Sequence, residues 1–342
     1  MRFVVIGAGA IGGTIGGRLA VAGHDVVFIA RGDHGAAIAT NGLRLVAPDG
    51  ELVVRAPVAA SIAAVQWRLG DVALLAVKTQ DAVGALAELY RHAPPQVAIA
   101  CLTNGLEAER IAARYFQEVI GVCVMSPADY LEAGVVRQYA APTRGILEVG
   151  KFPHGATAFD PLLVAAFESA GYASASSDDV MAWKRQKLLM NVGNVVEAMC
   201  GREARTSRLV AHARIEAIVA MEVAGLPRVG DDVDAERRKI MQMQPIAGEL
   251  RPGGSTWQSV ARGRTTETDY LNGEVVLIGR MCGVQTPINQ RLQRSGSGWS
   301  GPPGSLDLPS LEASVRHWLY LDPRVEARIA EADRQLDAST AR

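Results

Sequence analysis

Apolar and polar positions along this chain follow two periods in turn. Phe3 to Ile6 is a short apolar, β-branched run that reads as a strand, and the positions from Ala10 through Leu19 take a helical spacing. Asp25–Ile29 reads as a second strand. Asp71–Val77 and Val97–Cys101 read as buried parallel strands, because they are apolar without alternation. Short runs at Val119–Val124, Val135–Tyr139 and Ile146–Val149 are expected to complete the same sheet, with an antiparallel portion. Beyond Gly171 and the Ser/Asp run Ser174–Asp179, the pattern turns helical for about a hundred residues. Ser177 or Asp178 is placed to cap the first of these helices.

That helix, centred on MAWKRQKLLMNVGN, carries Lys187, Asn191 and Asn194 at i, i+4 and i+7, one polar face of a continuous helix. Leu188, Val192, Val195 and Met199 form the apolar side that would seat it. A long cation beside two amides suits gripping and protonating a small carbonyl acid. A solvated polar face is the plainer reading.

A chain of 342 residues exceeds one ordinary core, so two domains are expected. With 49% hydrophobic and 21% charged residues it is globular and able to bury a sizeable core. A net charge of −1 and the lack of a basic block argue against nucleic acid or an anionic membrane as partner. Cys101, Cys123, Cys200 and Cys282 show no metal or disulfide spacing. With no signal-peptide pattern and no apolar run long enough to span a bilayer, a cytoplasmic location with reduced thiols is expected.

Between the first strand and first helix lies GAGAIGG, which places G-x-G-x-x-G at Gly7, Gly9 and Gly12. The first glycine permits the tight turn, the second lets a pyrophosphate approach the backbone, and the third lets helix pack on strand. The amides of Ala10 and Ile11 then open the helix and face the phosphates. The fold class expected is α/β, a Rossmann-type dinucleotide-binding domain over residues 1–175. A helical substrate domain follows over 176–294, and a loop plus helical extension over 295–342.

At the end of the second strand an NAD site usually offers an acid for the ribose 2′-hydroxyl. This chain offers Arg31, suited to a 2′-phosphate, with Asp33 as the competing choice, so NADPH is the expected cofactor. Lys78 and Asn104 follow the third and fourth strands and would face the cofactor crevice, unless they are a solvated lysine and a turn residue. In the second half, Ser255 stands at a helix start beside Gly253 and Gly254. Glu267 heads an apolar stripe with Leu271, Ile278 and Met281. A buried acid there needs a partner such as a ligand hydroxyl or Lys187, whereas an exposed one would be held by the helix dipole.

Taken together, GAGAIGG, Arg31, Lys78, Asn104-Gly105, K-x-x-x-N at Lys187 and Asn191, Ser255, and TETDYLNG with Glu267 resemble ketopantoate reductase, in order from residue 1 to about Leu292. The resemblance implies a Rossmann-type domain, a helical domain and an active site in the cleft between them. It implies NADPH-dependent reduction of 2-dehydropantoate, with Lys187 the general acid and Glu267 bonding the substrate hydroxyl. Asn104, Asn191 and Ser255 would contact substrate. Gly7, Gly9, Ala10, Ile11, Gly12, Arg31, Lys78, Asn104 and Glu267 would line the cofactor. A second copy of the chain is a candidate partner.

Three features depart from the family pattern. Val195 stands where the second helix asparagine usually lies, with Asn194 one position earlier; Thr103 replaces the usual glutamine; and a tail continues past the family's end. That tail carries Leu311, Val315, Trp318 and Leu319, then a charged helical pattern from Val325 to Leu336. It is expected to pack on the second domain or a partner subunit. The departures bear on the substrate more than on the reaction. The alternatives are a paralogue reducing another oxo acid or oxidising an alcohol, and a non-catalytic NADP(H)-binding sensor. The sensor would have no need of Lys187, Ser255 and Glu267 together.

Overall fold

The computed structural model describes residues 1–316 and 322–340, without the side chains at 316, 336, 339 and 340. Its strands are β1 (Arg2–Ile6), β2 (Asp25–Ile29), β3 (Leu43–Ala47), β4 (Gly50–Val54), β5 (Val58–Ala59), β6 (Asp71–Leu75), β7 (Ala98–Cys101), β8 (Val119–Met125), β9 (Ala128–Glu132), β10 (Val135–Gln138), β11 (Ile146–Lys151) and β12 (Ala173–Ser176). The helices are α1 (Ala10–Val21), α2 (Gly32–Asn41), α3 (Thr79–His92), α4 (Glu107–Ala112), α5 (Asp160–Ser169), α6 (Val180–Asn191), α7 (Asn194–Cys200), α8 (Arg208–Val223), α9 (Asp231–Arg238), α10 (Ser255–Ala261), α11 (Thr268–Cys282), α12 (Pro287–Ser297), α13 (Leu308–Arg316) and α14 (Pro323–Thr340). Contacts divide the chain into two compact units: Met1–Gln186 with Arg228–Pro252, and Lys187–Pro227 with Gly253–Arg342.

The first unit is built on an eight-stranded sheet in the order β12-β11-β8-β7-β6-β1-β2-β5. Every pairing in it is parallel except β8 with β11. This agrees with the α/β class, and the antiparallel portion falls at Ile146–Lys151 as the pattern implied. Val135–Gln138, expected in this sheet, lies instead in a second, four-stranded sheet ordered β4-β3-β10-β9. Its partners are β3, parallel, and β9, antiparallel. The hairpin of β3 and β4 supplies the rest of that sheet.

Helix α1 touches both sheets, and its glycines explain how. A Cβ on Gly16 would stand 2.6 Å from Phe28 and 2.8 Å from Val5 of the large sheet; one on Gly13 would stand 2.7 Å from Val136 of the small sheet. Gly12 and Gly16 thus face one sheet while Gly13 and Gly17 face the other. A helix glycine costs about 1 kcal/mol against alanine, and here the cost is offset by close approach on two faces.

The first compact unit runs on to Gln186. The Ser/Asp run Ser174–Asp179 begins in edge strand β12, whose Ser174 Oγ donates to the Leu147 carbonyl at 2.8 Å. Asp179, not Ser177 or Asp178, caps α6, accepting from the Ala182 amide at 2.9 Å. Arg228–Pro252 also belongs to the first unit. Arg237 reaches Glu148 at 2.5 Å, and the Gln244 amide donates to the Tyr139 carbonyl at 2.7 Å. The expected run of about a hundred helical residues is therefore interrupted: between Arg238 and Ser255 the chain forms only isolated bridges, Ala140 to Met243 and Ile246 to Glu249.

Among the described residues the second unit contains helices and no strand. Glu216 of α8, fully buried, accepts from the Ile288 and Asn289 amides and from Asn289 Nδ2, all at 2.9 Å, so it caps the start of α12. The tail packs on this unit: Leu311 and Val315 are buried, and α14 lies along α8. Arg208 pairs with Asp337, His212 Nε2 meets Asp333 at 3.0 Å, and Arg328 meets Glu222 at 2.9 Å. Trp318, Leu319 and the side chain of Leu336 lie outside the described residues. No helix among the described residues is long and apolar enough to cross a membrane.

Candidate active site

Residues Gly7–Gly12 sit between β1 and α1, as the motif requires. Gly7 has φ +97°, and a Cβ on Gly12 would stand 2.0 Å from the Gly7 carbonyl oxygen, so neither position accepts a side chain. Gly9 is different: a Cβ there would meet nothing closer than Tyr130 at 3.8 Å. The protein itself leaves that space open, which fits the approach of a pyrophosphate. Gly9 caps α1 without a side-chain bond, leaving the amides at the helix start facing outward.

Beside this loop lies a cleft of about 540 Å³, lined by Gly7, Ala8, Arg31, His34, Gln80, Asp81, Glu88 and Tyr130 among others. His34 fixes its wall. Its Nδ1 accepts from the Gly134 amide at 2.9 Å, so the ring proton sits on Nε2 and is donated to the Ala8 carbonyl at 2.7 Å. The Tyr130 ring lies 4.2 Å from the imidazole, centroid to centroid. Arg31 caps α2, is exposed and lines the cleft, whereas Asp33 is exposed but not part of the lining. On the α3 side the wall carries the carboxylates Asp81 and Glu88. Lys78 caps α3, half-buried, and is not among the lining residues.

Asn104 lies in the loop between β7 and α4, where its carbonyl accepts from Thr79 Oγ1 at 3.1 Å. The same loop is held from below by Lys184, whose buried ammonium donates to the Thr103 carbonyl at 3.1 Å and pairs with buried Glu109. Cys101 is beside this pair, and burial pushes its thiol up, well above the ordinary cysteine range. Lys184 lies one helical turn before Lys187, and sequence reading passed over it because the K-x-x-x-N spacing draws the eye to Lys187.

Lys187, Asn191, Asn194, Ser255 and Glu267 all belong to the second unit. The helix carrying the first three is not continuous: α6 ends at Asn191 and α7 begins at Asn194. Gly193 sits at the break, where a Cβ would stand 2.8 Å from Val210 of α8. The break frees backbone carbonyls, and two side chains take them: Arg205 donates to Met190 at 3.3 Å and Asn272 Nδ2 donates to Val192 at 3.1 Å. Asn191 and Asn194 are thereby brought together, with Asn194 Nδ2 donating to Asn191 Oδ1 at 3.5 Å. Both are buried, and Asn191 Nδ2 has no hydrogen-bond partner among the described residues. Val195 is a core residue, packed where a Cβ on Gly296 would stand 2.4 Å from it.

Ser255 opens α10, half-buried, directly after the Gly254 amide, which donates to Glu197 at 2.9 Å. Glu267 is the N-cap residue of α11 and is only 3% exposed, so a solvated first-turn acid is not what the structure shows. Leu271 and Ile278 of its stripe are buried, but Met281 is 79% exposed and leaves the stripe. Asn272, in the same TETDYLNG motif, is the residue that reading missed; an Asn-Gly pair inside a helix was its signal. No cluster of residues able to hold a metal ion occurs among the described residues.

Known proteins resemble most of this chain. The family described as Ketopantoate reductase PanE/ApbA matches residues 3–154, and its C-terminal counterpart matches residues 179–295. The chain belongs to the ketopantoate reductase family. It is similar to the 2-dehydropantoate 2-reductase of Pyrococcus horikoshii, 25% identical over 294 residues, which are 84% of this chain and 94% of that protein. The Archaeoglobus fulgidus enzyme of the same name is 28% identical over 300 residues, 85% of this chain and 95% of the relative. Among solved structures, a PanE/ApbA family ketopantoate reductase from Ralstonia eutropha JMP134 superposes with a TM-score of 0.72 at 27% identity, covering 93% of this chain and all of that one. D-mandelate dehydrogenase, solved with NADH and anilino(oxo)acetate, superposes with a TM-score of 0.73 at 20% identity, covering 93% and 99%, and shows the shared fold. Members of the ketopantoate reductase family are oxidoreductases.

Proposed function

We propose that the chain reduces a small 2-oxo acid to the 2-hydroxy acid with NADPH, 2-dehydropantoate being the substrate and pantoate the product. The observation that carries this reading is Asn191 Nδ2, a buried donor without a partner, one helical turn beyond Lys187. A buried, unsatisfied amide costs about 1–3 kcal/mol, a cost that a bound oxo acid removes.

The glycine loop and the cleft beside it fit a dinucleotide, which when bound supplies the hydride. The remaining work falls to this chain's residues. Lys187 polarises the substrate carbonyl and passes a proton to its oxygen. Asn191 donates to the acid, with Asn194 beside it in the role the family gives to the position now held by Val195. Ser255 contacts the substrate, and the carboxylate of Glu267 accepts from its hydroxyl. Asn104 orients the nicotinamide end, and Arg31 reads the 2′-phosphate against the carboxylates of Asp81 and Glu88. Lys78 is a second cation for the phosphates.

A different 2-oxo acid is the second reading, favoured by the apolar Val195 and the one-residue shift of Asn194. The test is oxidation of NADPH against a panel of 2-oxo acids headed by ketopantoate, with NADH beside it. Selective turnover of ketopantoate supports the first reading, and selective turnover of another oxo acid supports the second. Binding of NADPH without any turnover refutes both and leaves a sensor. In the active case Lys187→Ala lowers kcat by about 10²–10⁴ while NADPH affinity stays at the wild-type value.

A further inference from the structure

We infer that Glu197 and Arg205 are positioning residues that hold the substrate-gripping side chains of the second unit in register, an inference that rests on the proposed reduction of an oxo acid. Glu197 lies on α7 and is 4% exposed; Arg205 lies on the short 3-10 turn Arg202–Thr206. They form an ion pair, and each then reaches a different part of the site. The second oxygen of Glu197 accepts from the Gly254 amide at 2.9 Å, the peptide immediately before Ser255. The second arm of Arg205 donates to the Met190 carbonyl at 3.3 Å, the peptide immediately before Asn191.

One ion pair therefore links the end of α6, the middle of α7 and the start of α10. The first two meet at the backbone break after Asn191, where helical partners run out, and α10 lies more than fifty residues further along the chain. The local packing leaves no slack around the pair: a Cβ on Gly254 would stand 2.8 Å from the Glu197 carboxylate. Arginine is needed here because its planar fork serves two acceptors at once, whereas a lysine would serve one by a point contact. Neither residue touches substrate in this scheme; they act through Asn191 and Ser255. A misplacement of about 1 Å in such groups costs up to about a hundredfold in rate.

The variants are Arg205→Met, Arg205→Lys and the charge-free double variant Glu197→Gln/Arg205→Met, which keeps the fold testable if a lone buried carboxylate destabilises the single one. Each is first checked for folding by circular dichroism and for NADPH affinity by fluorescence titration. It is then assayed with the 2-oxo acid that the wild type turns over fastest. The expected result is a rise in KM for the oxo acid of about tenfold or more, with NADPH affinity within about twofold of wild type, and Arg205→Lys falling between wild type and Arg205→Met. Folded variants with wild-type KM and kcat would overturn the inference while leaving the function standing. A wild-type protein that turns over no oxo acid would overturn both.

Discussion

The most demanding test of the first unit is Lys184→Met. Lys184 is 3% exposed and Glu109 0%, so the pair lies wholly inside the protein, and Glu109 Oε2 has no partner among the described residues. Methionine preserves the length and volume of the lysine stem but leaves the Glu109 carboxylate buried without its cation. Stranding one member of a buried pair costs about 3–5 kcal/mol, a large share of the 5–15 kcal/mol that typically separates folded from unfolded protein. The Thr103 carbonyl also loses its donor, worth about 1 kcal/mol. In urea titrations followed by circular dichroism, the transition of Lys184→Met should move to lower denaturant by at least about 1 M, given slopes of about 1–3 kcal/mol/M. Removing the second charge as well, in Lys184→Met/Glu109→Gln, should recover most of the loss. A single variant within about 1 kcal/mol of wild type, or a double variant whose loss equals the two single losses added together, would show that the pair is not what holds the Asn104 loop.

Three further outcomes follow from the geometry. Gly12→Ala forces a methyl to 2.0 Å from the Gly7 carbonyl and should abolish NADPH binding measured by fluorescence; wild-type affinity would show that the loop can open without loss. Arg31→Ala should narrow the ratio of NADPH to NADH efficiency, read as kcat/KM for each; an unchanged ratio would move the 2′-phosphate to Lys78. Glu216 is pushed up to about 7 from 4.5, chiefly by burial and against the pull of its three N–H donors. Its protonated form is the one the folded state favours, so its contribution to stability is greatest below pH 4.5 and falls as pH rises toward 7. The stability of wild type relative to Glu216→Gln should therefore drop by about 2–3 kcal/mol between pH 5 and 8, and a constant difference would contradict this.

Much of this molecule was legible along the chain because the signals are local. A strand that must be buried on both faces is apolar throughout, so β1, β2, β6 and β7 declared themselves. A phosphate loop needs glycines at fixed offsets, so Gly7, Gly9 and Gly12 did as well. The motifs around Lys187, Asn191, Ser255 and Glu267 were legible too, as a resemblance of residue type and spacing, and the fold places all four in the second unit. What the sequence could not decide is what each element meets. The spacing of Lys187, Asn191 and Asn194 fits one straight helix, and only the close approach of Val210 on Gly193, with Arg205 and Asn272 ready to take the freed carbonyls, breaks it in two. Nothing along the chain shows that Gly13 and Gly17 lie against a second sheet, which comes from segments distant in sequence. Val135–Gln138 has the composition of any strand, and its sheet was chosen by pairing with a distant hairpin. Local pattern determines which segments can be helix or strand and which side chains can do chemistry. Partners distant in sequence decide where a helix stops, which sheet a strand joins, and which charges are held inside.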